Sequence, residues 1–167
     1  MKKIFDKQQN KNIKMLVMDV DGTLTDGRLY YGGDGEVLKA FHSRDGYGLI
    51  QCENFGIITA IITGRTSEIV LKRAKDLKIN EVYQNVSNKI EVLKEIAFRH
   101  GIDMTQIAYI GDDLNDAECM SACGLAGCPA DAHDDIAEIC DYVCDANGGQ
   151  GAVREFLDYI LKEYNAG

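Results

Sequence analysis

Two short stretches of the sequence concentrate carboxylates where they could do chemistry. In LVMDVDGTLTDG (residues 16–27), Asp19 and Asp21 come directly after an apolar run, and GDDLND (111–116) holds three further aspartates. A carboxylate that leaves water must be paired, hydrogen-bonded or bound to a metal, because burying an isolated charge is costly. Several carboxylates in one place repel each other unless a hard cation lies among them, and Mg²⁺ prefers oxygen ligands and also binds phosphate oxygens. The pattern therefore predicts a magnesium site.

Two other residues have the chemistry to hold an anion beside such a site. Thr63, in ITGR, can offer its hydroxyl and nearby backbone N–H groups, and Lys89, in SNKIEV near the start of a helix pattern, can bring a positive charge. Each feature alone also has an ordinary explanation. A threonine at a strand end is usually a cap, an isolated lysine is usually solvated, paired aspartates are common on surfaces, and Asp113 could cap the next helix. Their occurrence together in one chain favours a shared site over these separate explanations.

The elements that must position these residues alternate between strands and helices. Apolar runs at KMLVMDV, IITAIIT, EVYQ and IAYIG are separated by segments with helical periodicity, which is typical of a parallel sheet with crossover helices. Right-handed crossovers then give an α/β, doubly wound Rossmann-like parallel sheet with helices on both faces. Asp19, Thr63 and Asp112 each follow a strand at its carboxyl end, which is the edge where such sheets bind ligands. We therefore expect these three residues to meet.

The remaining segments give expected boundaries for a hairpin and six helices. Two β-prone runs around GGDG, in RLYYGGDGEVLKAF, predict a β-hairpin after the first strand. Helices are expected in DGYGLIQCENFG up to Gly56, TSEIVLKRAKDLKI, NKIEVLKEIAFRHG up to Gly101, and DLNDAECMSACG up to Gly124. AHDDIAEI and YVCD predict a last helix–strand pair, and a C-terminal helix follows ANGGQG from about Gly151 to Tyr164.

Length and composition limit the classes of protein that this chain can belong to. We expect one domain over residues 1–167, long enough for a hydrophobic core. With 18 basic and 27 acidic residues, the net charge of −9 argues against nucleic acid or an anionic membrane as partner. MKKIFDKQQNKNIK does not resemble a signal peptide, and no run approaches a membrane span. Without an export signal, and at this moderate length, we expect the six cysteines to be reduced, mostly buried thiols in a cytoplasmic protein, and their lack of CxxC spacing argues against a zinc site.

DVDGT, the threonine of ITG, a lysine before a helix and GDDxxD, in this order, resemble the four motifs of the haloacid dehalogenase (HAD) superfamily of aspartyl-phosphate phosphatases. The resemblance implies that Asp19 is the nucleophile that forms an aspartyl phosphate. It makes Asp21 the general acid for the leaving alkoxide and then the base that activates water. Thr63 and Lys89 are implied to hold the phosphoryl oxygens and to offset their charge.

The same resemblance implies a ligand set for the cation. Asp112 binds Mg²⁺ together with the Asp19 carboxylate and the backbone carbonyl of Asp21, and Asp116 orients Lys89 or a metal-bound water. Phosphoryl transfer depends mainly on positioning and on electrostatic stabilisation, which a cation and a lysine supply together.

The chain leaves no room for a cap domain between the motifs, and it resembles the 3-deoxy-D-manno-octulosonate 8-phosphate (KDO 8-phosphate) phosphatases over nearly its full length. DVDGTLTDGRLYY, FHSRDGYGL, ITGRTSEIV, SNK, AYIGDDLND and GGQGAVREF carry this similarity. It implies a homotetramer assembled through the hairpins (about residues 28–41), with active sites completed by neighbouring subunits, and a role before KDO activation for lipopolysaccharide. Exposed Leu29, Tyr30 and Tyr31 fit such burial, although they could equally pack on their own domain.

The resemblance also implies a binding site for a phosphorylated sugar acid. Arg65 and Arg73 contact the sugar acid or the phosphate, and a bidentate arginine suits a sugar-acid carboxylate. Arg73 could instead be solvated on its helix, and Ile50 stands where many family members have a basic residue. The other implied binding residues are Asp21, His42, Ser43, Arg44, Asp45, Gly46, Thr63, Gly64, Lys89 and Asp116.

Three other functions are compatible with parts of the pattern. A phosphatase for the nine-carbon KDN 9-phosphate has Glu after the ITG motif, so Arg65 favours the KDO compound. A non-catalytic HAD-fold oligomerisation or regulatory module could dispense with Asp19 or Asp21, and this chain keeps both. A phosphomutase normally needs a cap. The segment from about residue 145 to 167 is either a mobile tail that brings Arg154 near an active site or a plain C-terminal helix.

Overall fold

The computed structural model describes residues 12–165, and its strands and helices follow the expected alternation. The N-terminal stretch up to residue 11 and residues 166–167 lie outside the described part. The strands are β1 Met15–Met18, β2 Tyr30–Gly32, β3 Gly35–Leu38, β4 Ile58–Ile62, β5 Glu81–Tyr83, β6 Ile107–Ile110, β7 Leu125–Cys128 and β8 Tyr142–Val143. The helices are α1 Ser43–Gln51, α2 Glu68–Asp76, α3 Lys89–His100, α4 Ala117–Ala122, α5 Asp134–Ile139 and α6 Ala152–Asn165.

Six strands form one parallel sheet in the order β5-β4-β1-β6-β7-β8. The first strand of the sequence is therefore central, and its last residue, Met18, pairs with Ile61 of β4 and Ile110 of β6. The connection after β1 leads to β4 on one side and the connection after β6 leads to β7 on the other, so the direction reverses between β1 and β6. Doubly wound sheets bind ligands at this switch position. The predicted α/β fold is confirmed.

The two faces of the sheet bury separate hydrophobic cores. Side chains alternate along β1, so that Leu16 and Met18 belong to one core while Met15 and Val17 belong to the other. The first core includes residues of α1, α2 and α6, and the second includes residues of α3, α4 and α5. Full burial on both faces holds the carboxyl end of β1 in a fixed position.

The predicted hairpin is present and forms its own two-stranded sheet. β2 and β3 pair antiparallel, with Gly32 opposite Gly35. Several of its apolar side chains are exposed: Leu29, Tyr31, Val37 and Leu38. The short segments between the strands contain no additional domain, in agreement with the predicted lack of a cap domain.

Two parts of the chain differ from the sequence prediction. LAGC forms the buried strand β7, which the pattern did not predict. A Cβ at Gly127 would lie 2.6 Å from the Phe156 ring, so α6 can pack closely on this strand only because the residue is glycine. Glycine is unusual inside a strand, and for this reason the sequence pattern did not indicate one here. The helix predicted from Asp113 to Gly124 begins with a 3₁₀ turn capped by Asp113, and α4 itself ends at Ala122.

Most of the cysteines are buried, as predicted. All six are free thiols, and five of them are buried: Cys52, Cys119, Cys128, Cys140 and Cys144. Within residues 12–165, no helix has the length and apolar character needed to cross a membrane.

Candidate active site

The end of β1 turns sharply and presents its two aspartates at the sheet edge. The backbone N–H of Asp19 donates to the Ile110 carbonyl (3.0 Å), which continues the β1–β6 ladder by one residue. The Val20 carbonyl then accepts the N–H groups of residues 23–25 and closes a tight turn. At the centre of the turn, Gly22 has a φ of +93°, and a Cβ there would lie 1.9 Å from Asp112 Oδ2. Only glycine permits this approach of the turn to the Asp112 carboxylate.

Lys89 forms two buried ion pairs beneath this turn. Its Nζ lies 2.8 Å from Asp19 Oδ1 and 2.7 Å from Asp116 Oδ1, and its side chain is only 2% exposed. Burial alone would lower the pKa of Lys89, but the charges of Asp19 and Asp116 raise it above the ordinary value. The lysine is therefore a fixed cation beside Asp19, and the alternative of a solvated side chain is wrong.

Asp116 is held by donors on every side. Its Oδ1 also accepts the Tyr109 hydroxyl (2.7 Å), and its Oδ2 accepts the backbone N–H groups of Asp112 (3.2 Å) and Asp113 (3.4 Å). The residue has no solvent exposure. Because both of its oxygens are engaged, Asp116 is arranged to orient Lys89.

The geometry of the carboxylates fits a divalent cation. Oxygens of Asp19, Asp112 and Asp116 lie within 4.8 Å of one another. Without a metal, burial and the charge of Asp116 raise the pKa of Asp19 to about 6, and burial and the charge of Asp19 raise that of Asp112 to about 8. Such crowding is relieved by a cation with oxygen ligands. Asp112 is oriented by the Thr23 hydroxyl, which donates to its Oδ1 (3.1 Å).

Thr63 lies at the end of β4, beside β1, as expected from the sequence. It is buried, and its N–H donates to the Tyr83 carbonyl of β5 (3.0 Å), so its hydroxyl is the group left for an anion. The next residue, Gly64, is exposed, and Ser67 caps α2 by accepting the Val70 N–H (3.3 Å). The loop between strand and helix is thereby anchored at both ends.

The hairpin contacts the active site of its own chain through charged groups. Lys39, just after β3, places its Nζ 2.5 Å from Asp21 Oδ1 and 2.8 Å from Glu36 Oε1. Glu36 Oε2 accepts the Ser67 hydroxyl at 2.5 Å. Burial disfavours the charge on Lys39, but hydrogen bonds to Asp21 and Glu36 raise its pKa.

The two arginines implied by the resemblance lie on either side of this network. Arg65 donates to the Tyr31 hydroxyl, and its Nε lies 3.7 Å from Asp21 Oδ2. Arg73 stacks over the Phe41 ring at 5.6 Å, and its buried Nε has no hydrogen-bond partner among the described residues. Arg65 thus lies beside Asp21, whereas Arg73 lies over the loop before α1.

The other implied binding residues, in the segment His42–Gly46, have different environments. His42 caps α1 by accepting the Arg44 N–H (3.2 Å), and Ser43 and Arg44 are exposed. Asp45 is 2% exposed and its Oδ1 accepts the Arg154 N–H of α6 (2.8 Å), which is a link between helices. Gly46 is buried against Arg73, whose Nη2 lies 2.5 Å from where a Cβ would be. Ser43 and Arg44 are thus the members of this segment most open to a ligand.

Sequence reasoning missed three residues that contact the site. Lys39 and Glu36 gave no signal, because charged residues in a hairpin are usually solvated. Tyr109 could have been identified from the sequence, because a tyrosine inside a buried strand needs a hydrogen-bond partner for its hydroxyl. That partner is Asp116, seven residues further along the chain.

Comparison with known proteins gives consistent matches. The model of the haloacid dehalogenase-like hydrolase family matches residues 77–157. The chain is 44% identical to the 3-deoxy-D-manno-octulosonate 8-phosphate phosphatase of Escherichia coli (strain K12) over 151 residues, which are 90% of this chain and 80% of that protein.

Among the similar solved structures are two that each have a TM-score of 0.92. The phosphatase of the same name from Moraxella catarrhalis, in complex with a magnesium ion, a phosphate ion and a KDO molecule, is 40% identical and matches 95% of this chain and 91% of its own. The cobalt-bound deoxy-D-mannose-octulosonate 8-phosphate phosphatase from Haemophilus influenzae is 38% identical and matches 95% and 92%. The similarity therefore extends over nearly the whole chain.

Proposed function

Because the chain belongs to the KDO 8-phosphate phosphatases of the haloacid dehalogenase-like hydrolases, we propose that its site residues carry out this reaction in the roles given below. The protein is a Mg²⁺-dependent phosphatase that hydrolyses KDO 8-phosphate to KDO and inorganic phosphate. The observation that carries the assignment of roles is the buried arrangement of Asp19, Lys89, Asp116 and Asp112 at the end of the central strand. The product is the sugar acid used for lipopolysaccharide biosynthesis.

In the first half-reaction, a carboxylate oxygen of Asp19 attacks phosphorus. The Asp19 oxygen–phosphorus bond forms as the phosphorus–oxygen bond to the sugar breaks, and Asp21 gives its proton to the leaving alkoxide. Lys89, held by Asp116, offsets the charge on the phosphoryl oxygens, and the Thr63 hydroxyl donates to one of them.

In the second half-reaction, water attacks the phosphorus of the aspartyl phosphate. Asp21, now a carboxylate, takes the proton of that water, and Asp19 leaves as a free carboxylate. Asp19, Asp112 and the Asp21 carbonyl would hold Mg²⁺, which supplies charge neutralisation so that an anionic nucleophile can approach a phosphate. The relative from Moraxella catarrhalis, with magnesium, phosphate and KDO together, supports the use of Mg²⁺.

Substrate choice is assigned to the arginines and the start of α1. Arg65 determines specificity for the sugar acid. Its guanidinium lies beside Asp21 and carries a positive charge that can pair with the carboxylate of the substrate. Arg73, Ser43 and Arg44 are proposed to complete the sugar-acid site, with Gly64, His42, Asp45 and Gly46 shaping it.

We assign the exposed apolar side chains of the hairpin to contacts with other copies of the chain. Leu29, Tyr31, Val37 and Leu38 are each exposed, and exposed large apolar side chains are of the kind that subunit interfaces cover. A homotetramer with shared active sites is proposed on this basis, and light scattering after size-exclusion chromatography measures it. A cytoplasmic location is proposed because all six cysteines are free thiols.

The test is phosphate release with Mg²⁺ from KDO 8-phosphate and KDN 9-phosphate in parallel, with Asp19→Asn as the blank. We expect a much higher kcat/KM for the eight-carbon acid and a loss of that preference in Arg65→Glu. Preference of the wild type for the nine-carbon acid would overturn the substrate and keep the chemistry. Equal, negligible release by wild type and Asp19→Asn would leave only a non-catalytic module.

A further inference from the structure

Lys39 is a buried cation at the end of the hairpin, and it lies outside the four motifs. Its side chain is 2% exposed, and its Nζ lies between Asp21 Oδ1 (2.5 Å) and Glu36 Oε1 (2.8 Å). A lysine on a hairpin would normally extend into water, because its ammonium is strongly hydrated and its long side chain loses entropy when fixed. The desolvation of Lys39 is offset by two carboxylates, one of which is the proposed acid–base residue.

The anchor of Lys39 is itself anchored to the fold. Glu36 Oε2 accepts the Ser67 hydroxyl at 2.5 Å, and Ser67 is the N-cap of α2. The backbone N–H of Ser67 also donates to the Gln84 side chain. A chain of hydrogen bonds therefore leads from the first turn of α2 through Glu36 and Lys39 to Asp21. This chain stays within one subunit and attaches the inner side of the hairpin to the loop after β4.

Asp21 needs such a restraint because its carboxyl group serves two steps. It must reach the leaving oxygen of the sugar in the first half-reaction and the attacking water in the second. The residue lies in the turn after β1, and its side chain is 19% exposed. A displacement of about 1 Å of a catalytic group can cost about 10²-fold in rate.

We propose that Lys39 is a positioning residue for the acid–base chemistry, and that Glu36 holds Lys39 in place. The inference rests on the proposed function, in which Asp21 is the proton donor and acceptor. The Lys39 ammonium holds Oδ1 of Asp21 and keeps its own protons throughout. The transferred proton leaves the Asp21 carboxyl for the alkoxide as the phosphorus–oxygen bond breaks, and water restores a proton to Asp21 as the aspartyl phosphate is hydrolysed.

The test compares two substrates whose leaving groups differ in their need for a proton. The sugar alkoxide of KDO 8-phosphate needs one, whereas the phenolate of 4-nitrophenyl phosphate leaves without help. In Lys39→Met, we expect kcat for KDO 8-phosphate to fall by about 10²-fold or more, since general acid–base catalysis is worth about 10²–10⁴. With the aryl phosphate, phosphorylation of Asp19 stays fast while hydrolysis of the aspartyl phosphate slows. Rapid mixing should therefore show a burst of nitrophenolate stoichiometric with enzyme, followed by slow turnover.

Two variants separate this role from a structural one. Lys94→Met is the matched control, because Lys94 is an exposed lysine with a surface partner, and it should behave as wild type. Glu36→Gln keeps Lys39 but loosens its anchor, so it should show the same burst with a smaller loss of kcat. It also serves as the test if Lys39→Met fails to fold, as judged by circular dichroism.

The outcomes distinguish this inference from the proposed function. An inactive wild type on both substrates would remove the proposed function and the inference with it. An active wild type, with Lys39→Met or the folded Glu36→Gln within about threefold of it on both substrates, would overturn the inference alone. An equal loss on both substrates with no burst would also overturn it, because a merely structural role slows both half-reactions alike.

Discussion

Replacing Lys89 with methionine removes an ammonium from the most buried part of the active site. The substitution keeps a similar side-chain length but leaves the Asp116 carboxylate, which has no solvent exposure, without its ion-pair partner. Removing one member of a buried ion pair costs about 3–5 kcal/mol, because the remaining charge is uncompensated. In a chain of this size each kcal/mol lowers Tm by about 2–4 °C. The Tm of the metal-free Lys89→Met variant should therefore be about 6–20 °C below that of the wild type.

A second substitution identifies the orphaned carboxylate as the cause. Asp116→Asn, added to Lys89→Met, removes the negative charge that the first substitution left unpaired. The double variant should be more stable than Lys89→Met by about 1–3 kcal/mol, although each single substitution is destabilising. Such a reversal of sign is expected only for groups that interact directly.

The assay is urea denaturation of metal-free protein in EDTA, followed by circular dichroism, for wild type, both single variants and the double variant. Lys94→Met is the control, since its surface pair with Glu91 at 3.4 Å should contribute less than about 1 kcal/mol. If the two single substitutions lower the free energy of unfolding additively in the double variant, the Lys89–Asp116 pair is not the source of the instability.

Three other predictions follow from the same site. Because the folded-state pKa values of Asp19 and Asp112 are raised to about 6 and about 8, the metal-free protein binds protons more tightly than the unfolded chain. Its Tm should fall as pH rises from about 4 to about 8, and Mg²⁺ should remove most of that fall; a flat profile in EDTA contradicts it. Gly22→Ala, with a Cβ 1.9 Å from Asp112 Oδ2, should abolish phosphate release or raise its Mg²⁺ requirement strongly, as measured by a Mg²⁺ titration. Tyr109→Phe removes a 2.7 Å hydrogen bond to Asp116 and should cost about 1.5–3 kcal/mol in urea denaturation.

The central part of the fold and the motif residues could be predicted because they depend on local patterns. Apolar runs of strand length mark β1, β4 and β6, and the polar residue after each run marks its carboxyl end. Parallel pairing then brings Asp19, Thr63 and Asp112 to one edge whatever the details of the packing.

The parts that could not be predicted depend on contacts between distant segments. The Lys39–Asp21 and Glu36–Ser67 contacts join residues 18 and 31 positions apart, and nothing in the hairpin pattern distinguishes a charged side chain that faces the site from one that faces water. The strand β7 was missed for a similar reason, since Gly127 is explained by the Phe156 ring of α6 and by nothing in its own neighbourhood.

The central position of β1 has a consequence for how the protein folds. The contacts that make the site join residues far apart in the chain: Lys89 and Asp19 are 70 positions apart, and Thr23 and Asp112 are 89. Contacts between such distant residues form slowly, and the site is complete only when β4, β1 and β6 are paired. During refolding, phosphatase activity should therefore recover later than the helical circular dichroism signal. The return of activity then marks the time at which the central sheet is complete.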